Sequence, residues 1–375
     1  MDTSVKYFSS TMIGSPELTG TAGSLIAVLD SFLVNGFGDV SISSLVISSG
    51  IATVTTNLAH NLTMIGSATG PVIQISGSTS SELNSEWRVL SITNASTFTF
   101  ACPDIPDGVA SGTISVKRAS AGWEKRYSDT NKAVYARLDP SATAMLLLVD
   151  DTDVRYSTMK MYESMTNINS GTLLATTYHF KTRLGTENNF TGARLWYAYA
   201  DSHSFYFINH TNFDYPRIFP VTFFGDLISL QSPDAFCCCL VGNSANSEWY
   251  TPIFQLLDVP TGSFIARSHT GLGSTISALR LSHSISERIS SAGAEYPNAA
   301  GNEFLCAPVE VWNDSKTVCR AIQPGFYNPL HHFSNFSDGQ IISSPPYHEM
   351  QIRMIHGSAE VDTSAIAFDI TGPWR

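Results

Sequence analysis

The stretch Val40-Ser41-Ile42-Ser43-Ser44-Leu45-Val46-Ile47-Ser48-Ser49-Gly50-Ile51-Ala52-Thr53-Val54 sets branched apolar residues among serine and threonine with a period close to two. That period puts successive side chains on opposite faces of a strand, and Ser49-Gly50 is turn chemistry, so two strands and a turn are expected. Further runs follow at Val72 to Ile75, Trp87 to Ile92, Thr97 to Phe100 and Thr113 to Lys117, separated by Gly, Ser, Asn and Pro. Five or six short strands in about 75 residues predict a small closed β-barrel or compact sandwich.

Toward the N-terminus the period changes. Leu25, Leu29, Phe32 and Leu33 recur at helical spacing between Ser24 and Asn35, which predicts one short amphipathic helix. Ser24 or Thr21 is the expected cap and Asn35-Gly36 the stop. Residues Asp2 to Thr21 are polar and lack an apolar period, so residues 1–38 are read as an arm and helix that dock onto something else, either this chain's own second domain or a neighbouring subunit.

On the C-terminal side strands resume at Ala133 to Ala136, Met145 to Val149, Lys160 to Tyr162, Ala193 to Tyr199, Ser204 to Ile208, Val221 to Phe224 and Ala235 to Val241, and then at Ala307 to Val311, Ile341-Ile342, Met350 to Ile355 and Ala365 to Ile370. Phe223-Phe224-Gly225-Asp226 reads as a tight turn between strands. Ile276 to Ile289 fits a helix or two strands equally well. The expected class is mainly β: a short N-terminal amphipathic helix, a small β-barrel or sandwich module over 39–120, and a larger β-rich domain over 121–375, with the boundary between Ser120 and Asp139.

Composition narrows the function. Of 375 residues, 21 are Lys or Arg and 32 are Asp or Glu, a net charge of −11 with no basic cluster, which argues against nucleic acid as a partner. Charged residues are only 14 %, below the roughly 25 % of ordinary domains, so much of the surface is uncharged and polar, suited to many protein neighbours. The N-terminus lacks a secretory pattern, and Leu25 to Val34, broken by Asp30 and Ser31, is far short of a membrane span of about 20 residues. A cytosolic chain without a membrane partner is expected.

Chemistry-bearing patterns are sparse. Asp150, Asp151 and Asp153 at a strand end are candidates for Ca²⁺ or for an acid and base pair, and a polar turn explains them equally well. Cys237-Cys238-Cys239 reads as a buried strand using Cys as a small apolar residue, and neither C-x-x-C nor H-x-x-x-H spacing occurs. His331-His332 reads as a solvated pair in a loop. The aromatic stretch from Trp196 to Phe207 is assigned to core packing, with about half of it facing inward. Six N-x-[ST] sites, at Asn61, Asn94, Asn189, Asn209, Asn313 and Asn335, are chance matches in a Ser/Thr-rich chain. G-x-S-x-G, phosphate-loop and dinucleotide patterns are all missing. No catalytic, cofactor-binding or metal-ligating residue is therefore assigned, no cofactor is expected, and the chain is read as non-enzymatic.

Several strings, taken in order, carry a resemblance. Val5-Lys6-Tyr7-Phe8, Leu18 to Asp30 and Val34-Asn35-Gly36-Phe37-Gly38 are followed by Leu83 to Val89, Thr97 to Ala101, Lys117-Arg118-Ala119 with Gly122-Trp123-Glu124-Lys125, then Tyr162 to Met165, Phe224-Gly225-Asp226 and Phe368 to Arg375. Together they resemble a family of virion structural proteins of tailed bacteriophages, across nearly the whole chain. The Cys237 to Cys239 run and the His331-His332 loop depart from it. The resemblance implies an assembly role on the tail, neck or baseplate, made in the host cytoplasm and held in the virion by contacts with other virion proteins. Closed symmetry adds the expectation of a homo-oligomeric ring. A host-surface glycan-binding or depolymerising tail protein is the first alternative, with the aromatic stretch and Asp150 to Asp153 as its site; a capsid decoration protein is the second.

Overall fold

The computed structural model describes residues 1–182, 191–211, 221–244, 262–281, 295–298, 301–313, 315–344, 348–356 and 363–375. Strand makes up 52 % of the chain and helix 6 %, so the class is mainly β. No helix of the described residues is long and apolar enough to cross a membrane.

The chain opens with β1 (Lys6–Ser9) and α1 (Ser24–Leu29), which continues as a wider π-type turn over Asp30–Asn35. Seven strands follow: β2 (Phe37–Ser48), β3 (Ile51–Thr56), β4 (Val72–Ser78), β5 (Glu86–Asn94), β6 (Thr97–Ala101), β7 (Gly108–Val109) and β8 (Gly112–Arg118). Their order is β3-β6-β5-β4-β8-β2, and β2 returns to pair with β3, which closes a six-stranded antiparallel barrel; β7 adds to β2 outside the ring. One face of each strand fills a private core of Leu45, Val54, Ile73, Val89, Phe98 and Phe100, while serines and threonines face out. Closure removes the free edges that an open sheet would expose.

A five-stranded antiparallel sheet follows, β9 (Trp123–Asp129), β10 (Lys132–Arg137), β11 (Leu146–Asp150), β12 (Tyr156–Asn167) and β13 (Ser170–Phe180), in sequential order. The rest is a 13-stranded sheet. Its strands are β14 (Trp196–Ala200), β15 (Ser204–Asn209), β16 (Val221–Asp226), β17 (Ile228–Ser229), β18 (Cys238–Val241), β19 (Ser263–Ile265), β20 (Ile276–Leu281), β21 (Cys306–Asn313), β22 (Cys319–Pro329), β23 (Ile341–Ser344), β24 (His348–His356) and β25 (Thr363–Asp369). The N-terminal β1 completes it by pairing antiparallel with β14, Lys6 opposite Ala200 and Ser9 opposite Tyr197.

A sheet this wide curls, and here its second half covers one face of its first. Trp196, Phe205, Phe207, Phe224, Cys238 and Leu240 pack with α1 and the five-stranded sheet. The alternate residues Tyr199, Tyr206, Phe223, Cys239 and Val241 pack with Val311, Phe326 and Phe368 of the returning half. Strands β14, β15, β16 and β18 are thus a middle layer buried on both faces. That corrects the expectation that half of the aromatic stretch faces inward: nearly all of it does, into two cores. It also explains Cys237 to Cys239, a small-residue strand whose side chains divide between the two.

The N-terminal element is part of this body. Leu25, Val28, Leu29, Phe32 and Leu33 are all buried against it, with Phe32 stacked on Phe207 at 6.1 Å. The expected Ser24 or Thr21 cap is replaced by a long-range one: Gly23 is the cap residue, and the Leu25 N–H donates to Asp151 Oδ2 at 2.8 Å. Gly36 ends the helix as expected, at φ 68°, where a β-carbon would strike the Arg118 carbonyl.

Phe223 to Asp226 lie inside β16, not in a turn. Gly225 is there for close approach: a β-carbon would meet the His203 carbonyl in the preceding turn and Ser204 on the paired strand. Of Ile276 to Ile289, the first part is β20 and residues 282–289 lie outside the described residues, as does Asn189.

Candidate functional site

The residues singled out from the sequence separate into different environments. Asp151 is fully buried, 2.6 Å from Lys181 and bonded to Ser157 and the helix N–H. Burial pushes its carboxyl up, against the pull of Lys181. Asp150 instead pairs with Lys132 at 3.2 Å, and Asp153 accepts from the Arg155 N–H in a turn. The three carboxylates therefore have separate structural partners, and no group of three or more His, Cys, Asp or Glu among the described residues could hold a metal.

His331 and His332 are not a solvated pair. His331 is buried, stacked on Phe304 at 5.4 Å, with Nε2 accepting from the Leu305 N–H and Nδ1 bonded to the Glu295 carbonyl; His332 meets the Ser334 hydroxyl. All six cysteines are free, and burial pushes the Cys237 and Cys238 thiols up to about 12, which makes them inert.

One constellation was invisible in the sequence. The β10–β11 loop carries Asp139 and Ser141, and the β14–β15 turn carries Ser202 and His203. Ser141 Oγ lies 2.9 Å from His203 Nε2, and Ser202 Oγ lies 3.0 Å from Nδ1. Both hydroxyls donate to Asp139, at 2.6 and 3.0 Å. Because its proton points at the carboxylate, Ser141 is not activated by the imidazole as a triad nucleophile would be.

The larger feature is the junction of barrel and body, built from basic and acidic side chains set in apolar strands. Arg88 of β5 is buried and donates to the carbonyls of Asp2, Gly70, Val5 and Thr371, at 2.6, 3.0, 2.9 and 3.3 Å. One guanidinium thus ties the N-terminal arm, the barrel and the C-terminal segment together. Glu349 of β24 reaches the barrel loop Gly66 to Thr69, accepting from the backbone N–H groups of Ser67, Ala68 and Thr69 and from the Ser67 hydroxyl. Burial pushes its carboxyl up, and these hydrogen bonds more than offset that, leaving it below the usual carboxylate range. Lys6 bridges to Glu86 at 2.9 Å.

Beside this junction lies a cleft of about 530 Å³ between the arm and the barrel, lined by Tyr7, Met12, His60, Met64, Ile92 and Arg118 among others. Arg118, at the end of β8, is 4 % exposed. Its Nη2 donates to the Asn61 carbonyl at 2.8 Å, its guanidinium lies 5.9 Å from the Phe37 ring, and Nη1, itself buried, has no hydrogen-bond partner among the described residues. Burial lowers its pKa to about 10. His60 accepts from the Leu62 N–H at Nδ1, so Nε2 carries the proton toward the Asn94 carbonyl. Burial, with a smaller push from Arg118, keeps that ring neutral. Tyr7 connects the cleft to Arg353, whose Nη2 donates to the Tyr7 hydroxyl at 2.9 Å and which lies 3.5 Å over the Tyr197 ring.

No family model matches the sequence, and no curated protein matches it. Among solved structures the chain is similar to the phage phi92 endosialidase, at 11 % identity and a TM-score of 0.18, over 89 % of this chain and 52 % of that one. This chain thus spans about half the length of that protein. A likeness this slight carries no argument about fold or activity.

Arg88, Arg118, Glu349 and Arg353 were not singled out from the sequence. The available signal was a charge inside an apolar strand in a chain with few charges: Arg88 within Trp87 to Ile92, Arg353 within Met350 to Ile355.

Proposed function

We propose that the chain is a non-enzymatic structural subunit of a tailed-bacteriophage particle, placed on its tail, neck or baseplate and acting through protein-protein contacts. The observation that carries this reading is the use of buried charge. Arg88, Glu349, Asp151 with Lys181, and Arg137 with Asp226 each tie one segment of the chain to a distant one. An active site would hold such charged groups open toward a substrate; here they are buried and hold modules in register. The ordered resemblance to virion structural proteins supplies the particle.

The glycan-binding alternative loses the site it named, since the aromatic stretch is core and the three aspartates have structural partners. The subunit assembles in the bacterial cytoplasm, resides in the virion, touches other virion proteins and forms a homo-oligomeric ring, with no nucleic acid or membrane as partner. Quantitative mass spectrometry of gradient-purified particles tests this. A fixed copy number per particle is expected, and host capsular polysaccharide incubated with the pure chain stays uncleaved. Recovery of the chain only in the soluble fraction, or release of saccharide, contradicts the proposal.

A further inference from the structure

The connection between β3 and β4, residues 57–71, has no regular structure, and it is at the long end of connections inside compact modules, where lids and binding loops are found. Its two halves are held by different means. Residues 66–69 are gripped by Glu349 of the body. The first half forms one wall of the cleft facing the arm and sends Leu62 and Met64 against the barrel core. What holds it is a tight turn, His60-Asn61-Leu62, with Asn61 in the left-handed region at φ 53°. Across that turn the Leu62 N–H donates to His60 Nδ1 at 3.0 Å, the His60 N–H donates to the Ala95 carbonyl at 3.0 Å, and Arg118 Nη2 donates to the Asn61 carbonyl at 2.8 Å.

The ring closes this turn only as an acceptor. A backbone N–H can only donate, so Nδ1 carries no proton and the imidazole is neutral, with its proton on Nε2 toward the Asn94 carbonyl. A second proton would set N–H against N–H at the Leu62 contact, in a ring that is 5 % exposed. We propose that His60 is an acid-released latch: when its ring takes up a proton the turn opens, Leu62 leaves the barrel core and residues 57–65 swing away from the arm, with the Glu349-bound residues 66–69 as the fixed hinge. The groups around the ring come from four elements. Arg118 of β8 opposes a second positive charge, the Asn94 and Thr97 carbonyls of β5 and β6 favour one, the Phe98 ring edge of β6 at 5.3 Å is uncharged, and the arm brings Tyr7 to the same cleft. The described lining of the cleft holds no carboxylate to stabilise the imidazolium. Burial outweighs the two carbonyls and holds the histidine below its ordinary range. Such a group adds stability that is present above its unfolded pKa of about 6.5 and is lost as pH falls from there toward the folded value.

The test is amide hydrogen exchange of the full chain at about pH 5 and about pH 7.5, corrected for the intrinsic effect of pH and read by mass spectrometry on peptides covering residues 57–64 and 66–71. Glu349, held below its usual range, stays ionised at both. On acidification the 57–64 peptide is expected to lose about tenfold in protection while the 66–71 peptide keeps its own. Two variants accompany the wild type. His60→Asn keeps an acceptor for the N–H two residues on, as Asn does in an Asx turn, and does not titrate, so equal protection at both pH values is expected. Glu349→Gln leaves the latch in place, and its 57–64 peptide is expected to respond to pH as the wild type does. If His60→Asn fails to fold, the wild type and Glu349→Gln decide. The proposal is overturned if the wild-type 57–64 peptide is equally protected at both pH values, or if protection falls alike over 57–64, 66–71 and the barrel strands. It is also overturned if His60→Asn responds to pH as the wild type does, or if Glu349→Gln abolishes the response, which would make Glu349 the sensor.

Discussion

Single side chains carry much of the stability, and two carboxylates do so with opposite signs. Glu349 titrates below its usual range because backbone donors of the barrel loop outweigh its burial. A carboxyl depressed in the folded state adds stability that is present above its unfolded pKa of about 4.3 and is lost as pH falls through the folded value. Glu349→Gln is therefore expected to lower stability by about 2 kcal/mol at pH 7 and to flatten its fall below pH 4, as read by urea unfolding at both pH values. Asp151 differs, since burial raises its carboxyl and acidification relieves that cost. Removing it is another matter, because Lys181 is then buried without a counter-charge. Asp151→Ala is expected to cost about 3–5 kcal/mol, and Asp151→Ala with Lys181→Met to recover part of it. Denaturant midpoints of the two variants check this; a loss below about 1 kcal/mol for the single change would contradict the pairing. Neither role was legible in the sequence. Asp151 looked like one of three equivalent aspartates, and the helix it caps lies 126 residues away from it.

Elements were legible where only one face is buried. In the barrel, apolar residues alternate with Ser and Thr, and the predicted runs coincide with β2 to β6 and β8. The middle layer was found as apolar runs, although its second buried face was not. Strand β13 was missed because the residues it turns inward are Ala175, Thr177 and His179, which give no hydrophobic period. Strand β22 was missed because Pro324, Gly325 and Pro329 read as turn chemistry and its buried residues include Arg320, Gln323 and Asn328. At the N-terminus the polar arm gains order from its partner strand. Phe8 of β1 is 2 % exposed and packs on Phe32 and Phe37 at 5.6 and 6.1 Å. Phe8→Ala is expected to cost about 3–5 kcal/mol, and deletion of residues 2–22 to lower the melting temperature of the whole body. An unchanged melting curve for the deletion would mean that β1 is dispensable.

At the scale of the molecule, barrel and body each have a core, so either could melt alone; the polar junction between them couples the two. Arg88 and Glu349 supply most of its hydrogen bonds, and a double variant, Arg88→Met with Glu349→Gln, is expected to split one calorimetric unfolding transition into two, the first belonging to one module. A single transition in the double variant would place the coupling elsewhere. A coupled pair of β-modules with its charge turned inward is suited to holding a fixed position among neighbours, and that is the central claim. Electron cryo-microscopy of the purified particle tests it most directly. The claim predicts density at symmetry-related positions on the tail, neck or baseplate into which barrel and body fit together as one rigid unit, in contact with copies of themselves; a particle reconstruction with no such density would contradict it.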